Sequence, residues 1–324
     1  MSFASEVKSE ISRIKWLDKE TGCEKQLPDN LRKARLSGLL QSLASLNISN
    51  TGIALILKTT NADVARCIGL DLRNIYDVRS DFAVSKQNNL DKRNVYSMII
   101  EDKTMEILND LDLFTEKGLL DHPHMSFLNS DDMIKFYLAG LFMASGSVNS
   151  PNTSAYHLEM KANSTKHGEF IIRLLDKLNI KAKMTERRNN IIVYVKSADN
   201  IADFLKAIGA NKTLFEFEEI RIRRDFSNNF SRLNNIEIAN EQKIQASADK
   251  QVIAARFLKE NDLLNLLSEK DREIAQIRLE NPEVSLNALA DIYYKQTGNQ
   301  LTKSGIRHRI DKITALAEKY QGKE

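Results

Sequence analysis

The sequence predicts an α+β protein in which two α-β-β-α-β-β-α halves form a pseudo-twofold repeat, followed by an all-α C-terminal part. Three observations predict it. Two helical stretches with the same small-residue pattern lie 102 residues apart, at Gly38 and Gly140. Each is followed by extended runs and further helices in similar order. From Lys212 to Asp262 the chain then has neither glycine nor proline, which suits a long helix.

The second stretch, Leu138 to Val148, is the clearer one. It reads as the end of a helix capped by Ser130, with Asp131 and Asp132 at the positive end of the helix dipole. Ile134, Leu138, Leu141 and Phe142 form an apolar face, and Gly140 and Ala144 leave a strip almost free of side chain. A glycine inside a helix costs about 1 kcal/mol relative to alanine, so close approach of another helix is the expected compensation. Leu36 to Ser45, with Gly38 and Ser42, supplies that helix. The same offset carries Asn61 onto Asn163, and an offset of 98 carries Val95-Tyr96 onto Val193-Tyr194.

In chain order, Phe3, Val7, Ile11 and Ile14 mark a short amphipathic helix, followed by a polar turn from Asp18 to Asn30. After the first seam helix, Ile53 to Lys58 is a continuous apolar run that suits a buried strand. Asn61 or Asp63 caps a helix to about Ile75. Tyr76 to Ser85 and Val95 to Glu101 form a hairpin across Lys86 to Arg93, and Lys103 to Leu111 closes the half. In the second half Tyr156 to Lys161 is a half-buried strand and Ser164 caps a helix. Ala182 to Arg188 and Ile191 to Lys196 turn at Asn189-Asn190, and Ala198 to Ile208 stops at Gly209. The expected domains are 1–115, 116–210, a helical linker 211–262, and 263–324.

The two seam stretches resemble degenerate copies of the LAGLIDADG signature of homing endonucleases, and the element order is the one that family builds. The second copy carries the match through its first five places and in Gly146-Ser147-Val148. The resemblance implies that the eighth place of each copy should be an acid, so that two carboxylates hold divalent metals against the scissile phosphate. Here the eighth places are Leu43 and Ser145. Neither replaces a carboxylate, so no catalytic residue, metal or cofactor is expected. Two ordinary buried helices with glycine contacts would read the same way and also predict no cleavage.

Composition is ordinarily globular, 42% hydrophobic and 28% charged, and the formal net charge is +3. Its distribution is uneven, with nine basic residues against three acids between Met160 and Lys196. Such a run suits a polyanion, and it equally suits solvated faces. Lys181, Lys183, Arg187 and Arg188, at a hairpin, and Arg221, Arg223 and Arg224, in the long helix, are therefore candidate accessory DNA contacts. Cys23 and Cys67 have no metal-ligand spacing, and His122 and His124 read as turn residues. No apolar run spans a bilayer and the N-terminus is unlike a signal peptide, so a cytoplasmic protein is expected, and one that binds DNA would be nucleoid-associated.

At the C-terminus, Ser268 with Asp271 caps a helix to about Leu279, and Ser285 caps a second carrying Leu286, Leu289, Ala290 and Ile292. After a turn through Gly298, Thr302 or Ser304 caps a third helix with Ile306, Ile310, Ile313 and Ala317 on one side. Two helices joined by a glycine turn, the second longer and basic, is a helix-turn-helix arrangement. Its candidate DNA contacts are Ser285, Lys303, Ser304, Arg307, His308, Arg309 and Lys312, with Arg307 the first choice for a base edge. A three-helix module for protein contacts is the other reading.

Together these parts resemble one family, the bacterial WhiA proteins. The match is carried by Ala139-Gly140, Gly146 to Asn149 and Pro151; by Ala202 to Leu205 and Ile208 to Ala210; by Arg232 to Asn235 through Ala239-Asn240; and by Lys303 to Arg309. The resemblance implies a transcription regulator that binds double-stranded DNA, is linked to cell division and chromosome segregation (to sporulation in spore formers), and works with other transcription or division proteins. The competing expectations are a metal-dependent endonuclease with displaced ligands, and a protein-binding scaffold with accessory DNA contacts.

Overall fold

The computed structural model describes residues 2–14, 16–17, 24–49, 52–86 and 94–322. Cys23, Gly22 and residues 87–93, part of the segment expected to join a hairpin, lie outside the described residues. The chain divides into two compact units, Met1–Arg224 and Asp225–Glu324.

The first unit opens on α1 (Phe3–Ser12), whose Phe3, Val7 and Ile11 are buried as their spacing requires. A two-stranded ribbon, β1 (Trp16–Leu17) and β2 (Glu24–Lys25), leads to the first seam helix α2 (Asp29–Leu43). β3 (Ala44–Ser49) and β4 (Gly52–Thr59) follow, then α3 (Ala62–Tyr76), capped by the Asn61 side chain on the Asp63 and Val64 amides. β5 (Asp81–Lys86), β6 (Asn94–Ile100), α4 (Thr104–Asp110) and the small β7 (Phe114–Thr115) and β8 (Gly118–Leu119) pair complete the half. Tyr76, expected to open a strand, instead ends α3, because the left-handed Asp77 (φ 52°) closes that helix.

The second half begins with α5 (Asp131–Ser145), capped by Ser130 on the Met133 amide. β9 (Gly146–Val148), β10 (Leu158–Ala162), α6 (Thr165–Lys177), β11 (Lys183–Arg187), β12 (Asn190–Val195) and α7 (Ala198–Ala207) repeat the plan. Each half carries a four-stranded antiparallel sheet, ordered β3-β4-β6-β5 and β11-β12-β10-β9. One face of each sheet packs on helices and the other lines an open saddle. β4 is therefore not buried throughout, as its apolar run suggested. Leu55 and Leu57 are buried in the core, while Ile56 between them is half-buried and Lys58 after them is exposed on the saddle side.

Register corrects the sequence-level alignment of the halves. Leu57 pairs with Met98, and Met160 pairs with Val193, so the structural counterpart of Val193 is Met98 rather than Val95. The preceding strands keep the longer offset, with Phe82 and Met184 equivalent. The difference lies in the hairpin. In the second half it closes in two residues, Arg188 and Asn189, both left-handed (φ 52° and 60°), one residue earlier than expected. The equivalence extends to packing, since Phe82 lies against Gly69 of α3 and Met184 against Gly168 of α6, where a side chain would collide.

The seam forms as expected. A Cβ on Gly38 would strike the Tyr137 carbonyl oxygen and lie 2.9 Å from the Leu141 nitrogen; one on Gly140 would strike the Arg35 carbonyl, 2.9 Å from its carbon. Beside it, Arg35 makes a two-pronged ion pair with Asp71 of α3 (2.9 and 2.7 Å), both side chains buried. Burial raises the Asp71 carboxyl, and the Arg35 and Arg32 guanidiniums oppose that rise. Burial also pushes the neighbouring Cys67 thiol up to about 12, which makes it unreactive.

A second buried polar pair joins α5 to α6. His167 Nδ1 accepts from the Asn163 amide (3.3 Å), which leaves Nε2 to donate to the Tyr137 oxygen (3.1 Å). Burial lowers His167 to about 4, so the folded protein holds it neutral. Its folded value lies below its unfolded one, so the contribution is complete above about 6.5 and is lost as pH falls toward 4, by about 3 kcal/mol in total. Urea unfolding at pH 7 and pH 4.5 should show this loss in the wild type and a smaller one in His167→Gln. Parallel curves would refute the assignment.

α8 (Asn211–Glu260) starts in the first unit, where its end is capped from afar. Glu10 of α1 accepts from the Lys212 and Thr213 amides (2.6 and 3.0 Å) and from the Thr213 hydroxyl (2.8 Å). Phe3 packs near Phe217, with ring centroids 6.4 Å apart. Residues 225–247 are exposed, including Ile236 and Ile244, which the helical pattern alone would bury.

In the second unit Ala254, Ala255 and Leu258 of α8 share a core with α9 (Glu269–Glu280), α10 (Leu286–Thr297) and α11 (Lys303–Gln321), after a short 3-10 turn at Leu263–Leu266. Ser268, Ser285 and Thr302 each cap the helix they precede, and Gly298 ends α10 in the left-handed conformation (φ 71°). Buried Arg278 fastens the loop after α9 by donating to the carbonyls of Asn281 (3.3 Å) and Val284 (2.8 Å).

Candidate nucleic-acid interface

α11 buries Ile306, Ile310, Ile313 and Ala317 against α9 and α10. At 3.6 residues per turn the opposite face then consists of Lys303, Ser304, Arg307, His308, Asp311 and Lys312, and all six are exposed. The Thr302 hydroxyl accepts from the Gly305 amide (3.2 Å) and fixes the start of the helix. Two cations and a hydroxyl therefore stand within its first turn and a half, which is the part of a recognition helix that reaches base edges. Arg307 has the geometry to donate to guanine through two parallel hydrogen bonds.

Arg309 departs from expectation. It sits on the flank of α11 toward α9, and its guanidinium is 2.7 Å from Asp271. Burial works against the Asp271 carboxylate, but the Ser268 hydroxyl and Arg309 hold it below the usual carboxylate range. Arg309 thus sets the roll of α11 about its axis instead of offering a free charge. Ser285 is likewise spent on the Ala288 amide (3.2 Å).

In the first unit, strand alternation assigns the accessory candidates. Met160, Val193 and Met184 are cross-strand partners on the core side, so Lys161, Lys183 and Arg187, one residue from them or three, face the saddle. All three are exposed, as are Lys181 and Arg188 at the ends of the hairpin. Lys58 projects from β4 into the same saddle. Lys58 was hidden because it ends an unbroken apolar run with no alternation to assign its face, whereas the alternation of Leu158 to Ala162 does assign one to Lys161.

The arginines of α8 are differently placed. Arg224 donates to the carbonyls of Pro151 (3.0 Å) and Thr153 (2.6 Å) and lies over the Tyr156 ring, so it clamps the loop after β9. Arg221 bridges Asp199 and Glu218 (2.5 and 3.3 Å), and Arg223 pairs with Glu219 (2.6 Å) on the surface. Of the three, only Arg223 is exposed, and it too is paired.

At the foot of the seam, Leu43 and Ser145 end α2 and α5. The Ser145 hydroxyl is directed at the backbone carbonyls of Leu141 (3.3 Å) and Lys161 (3.1 Å). One hydroxyl and one alkyl group are not the hard, charged oxygen set that a catalytic divalent ion requires, so the residues present do not fit such an ion.

Family models match the chain in three segments. Residues 29–114 match the WhiA N-terminal LAGLIDADG-like domain, 134–227 the WhiA LAGLIDADG-like domain and 230–317 the WhiA C-terminal HTH domain. A probable cell division protein WhiA of Latilactobacillus sakei is 38% identical, with 99% of each chain covered. The chain belongs to the WhiA family. Another WhiA relative, from Bacillus cytotoxicus and also named a probable cell division protein, is 38% identical over all of this chain and 98% of its own length. The crystal structure of full-length DUF199/WhiA from Thermotoga maritima shares the fold, with a TM-score of 0.54 at 24% identity over 98% of this chain and 99% of that one. The WhiA helix-turn-helix segment contains α9, α10 and the basic face of α11, and the two LAGLIDADG-like segments contain α2 and, from residue 134 on, α5. Among the described residues no helix is long and apolar enough to cross a membrane.

Proposed function

We propose that this protein is a non-enzymatic, DNA-binding transcription regulator of the cytoplasm and nucleoid, acting in cell division and chromosome segregation. The observation that carries the reading is the exposed face of α11, where Lys303, Arg307 and Lys312 have no ion-pair partner among the described residues while the neighbouring Arg309 does. The names of the WhiA relatives support the cell-division setting. Leu43 and Ser145 support the absence of cleavage. Lys161, Lys183 and Arg187 suit accessory phosphate contacts on the saddle.

Arg307→Ala in the full chain should cost about 1 to 3 kcal/mol of specific binding and relax preference at one base pair. Binding-site selection with wild type and variant, compared with genome-wide mapping of occupied sites, measures both. A loss equal for all sequences would make Arg307 a phosphate contact, and no loss would remove α11 from the interface. Incubation with Mg2+ and supercoiled plasmid checks the chemistry, since nicking that a chelator abolishes would overturn the non-enzymatic reading.

A further inference from the structure

The seam ends in a cavity of about 790 Å3, below Leu43 and Ala144, lined among others by Lys8, Lys58, Thr60, Asn61 and Ser147. Among the described residues its lining contains no Asp or Glu. Lys58 and Ser147 are exposed residues that alternate with buried ones along β4 and β9, so the cavity opens onto the saddle. Lys8 reaches it from α1. Its ammonium lies 5.9 Å from the centre of the Phe142 ring and has no ion pair among the described residues. Burial lowers Lys8 to about 8, so it remains mostly charged at neutral pH. A partly dehydrated ammonium without a carboxylate is costly, and its missing counter-charge points to an anionic ligand.

The eighth places of the repeat supply no acid here, while α1 and β4 supply two ammonium groups at the same foot of the seam. The sign of the charge is therefore reversed relative to an ion-holding pair of carboxylates. We propose that this cavity grips a backbone phosphodiester of duplex DNA directly on Lys8 and Lys58, without a bridging metal ion. DNA fits better than a small free phosphate because further cations, Lys161, Lys183 and Arg187, line the saddle beyond the cavity, where only a ligand with several phosphates reaches them. The inference rests on the DNA-binding reading and assigns the repeat domain its own point of contact.

The test is amine acylation of the wild-type chain, read by peptide mass spectrometry at Lys8, alone, with sheared mixed-sequence duplex DNA, and with inorganic phosphate at matched ionic strength. Lys8 should be shielded by DNA and stay reactive in phosphate. Equal acylation with and without bound DNA overturns the proposal, as does shielding by phosphate without shielding by DNA. In parallel, the combined change Lys8→Gln and Lys58→Gln should reduce the slope of log binding constant against log salt by about 1; an unchanged slope also overturns it. A wild type that binds no DNA at all defeats the functional reading itself, a result distinct from DNA bound with Lys8 still open.

Discussion

Gly140→Ala should destabilise the first unit by about 3 kcal/mol or more, although the same change in a free helix would stabilise it by about 1 kcal/mol. The two effects have opposite sign, and geometry decides between them. The added methyl would meet the Arg35 carbonyl and come within 3.1 Å of the Leu39 nitrogen, all backbone atoms of α2. No rotamer can yield there. The helices must separate, and the fully buried Leu36, Leu39, Leu138 and Leu141 would lose contact as they do. Gly305→Ala is the internal control. A methyl there meets only Leu301 and Thr302 side-chain atoms at 3.5 Å or more, so that change should be neutral or stabilising. Urea unfolding of the two variants side by side should lower the midpoint for Gly140→Ala and leave it unchanged or raise it for Gly305→Ala. A Gly140→Ala protein as stable as the wild type would mean that the seam helices do not touch.

Asp71→Ala should cost the same unit about 3 to 5 kcal/mol, because it leaves the Arg35 guanidinium buried without its counter-charge. Most of that loss comes from the orphaned cation rather than from the value of the pair. Replacing both partners, Arg35→Met with Asp71→Leu, should therefore recover most of the stability lost by the single change. Arg32, 4.0 Å from Asp71 and held by the Leu27 carbonyl (2.8 Å), is a second cation at the same carboxylate and adds to the uncompensated charge. Thermal unfolding of the single and double variants distinguishes these accounts. A double variant as weak as Asp71→Ala would show that the pair contributes more than mutual neutralisation.

Local signals were legible in the sequence wherever the physics is local. Ser130, Ser164, Ser268 and Ser285 cap the helices their positions announced, and Thr302 is the one of two candidates whose hydroxyl reaches the Gly305 amide. Gly38 and Gly140 were readable because a helical glycine needs a reason, and contact between backbones is a frequent one. What escaped was set by pairing at a distance. The shift of the strand repeat from Val95 to Met98 comes from unequal hairpin lengths, which leave the apolar pattern of each strand intact. The loss of Arg309 to Asp271, and of Arg224 to the loop after β9, depends on helix packing that composition does not record. Lys8 and Lys58, fifty residues apart, meet at one cavity only because α1 folds back on the seam.

The carboxylate of Glu10 sets an order of events during synthesis. Its partners at Lys212 and Thr213 lie just over two hundred residues downstream, which at ordinary translation rates of about 5–20 residues per second is a delay of roughly 10–40 s. Until then the ribosome carries a nascent chain whose first helix lacks its last neighbours. α1 is thus made well before the partners that fix its Glu10 carboxylate, and a chaperone has that interval in which to hold it.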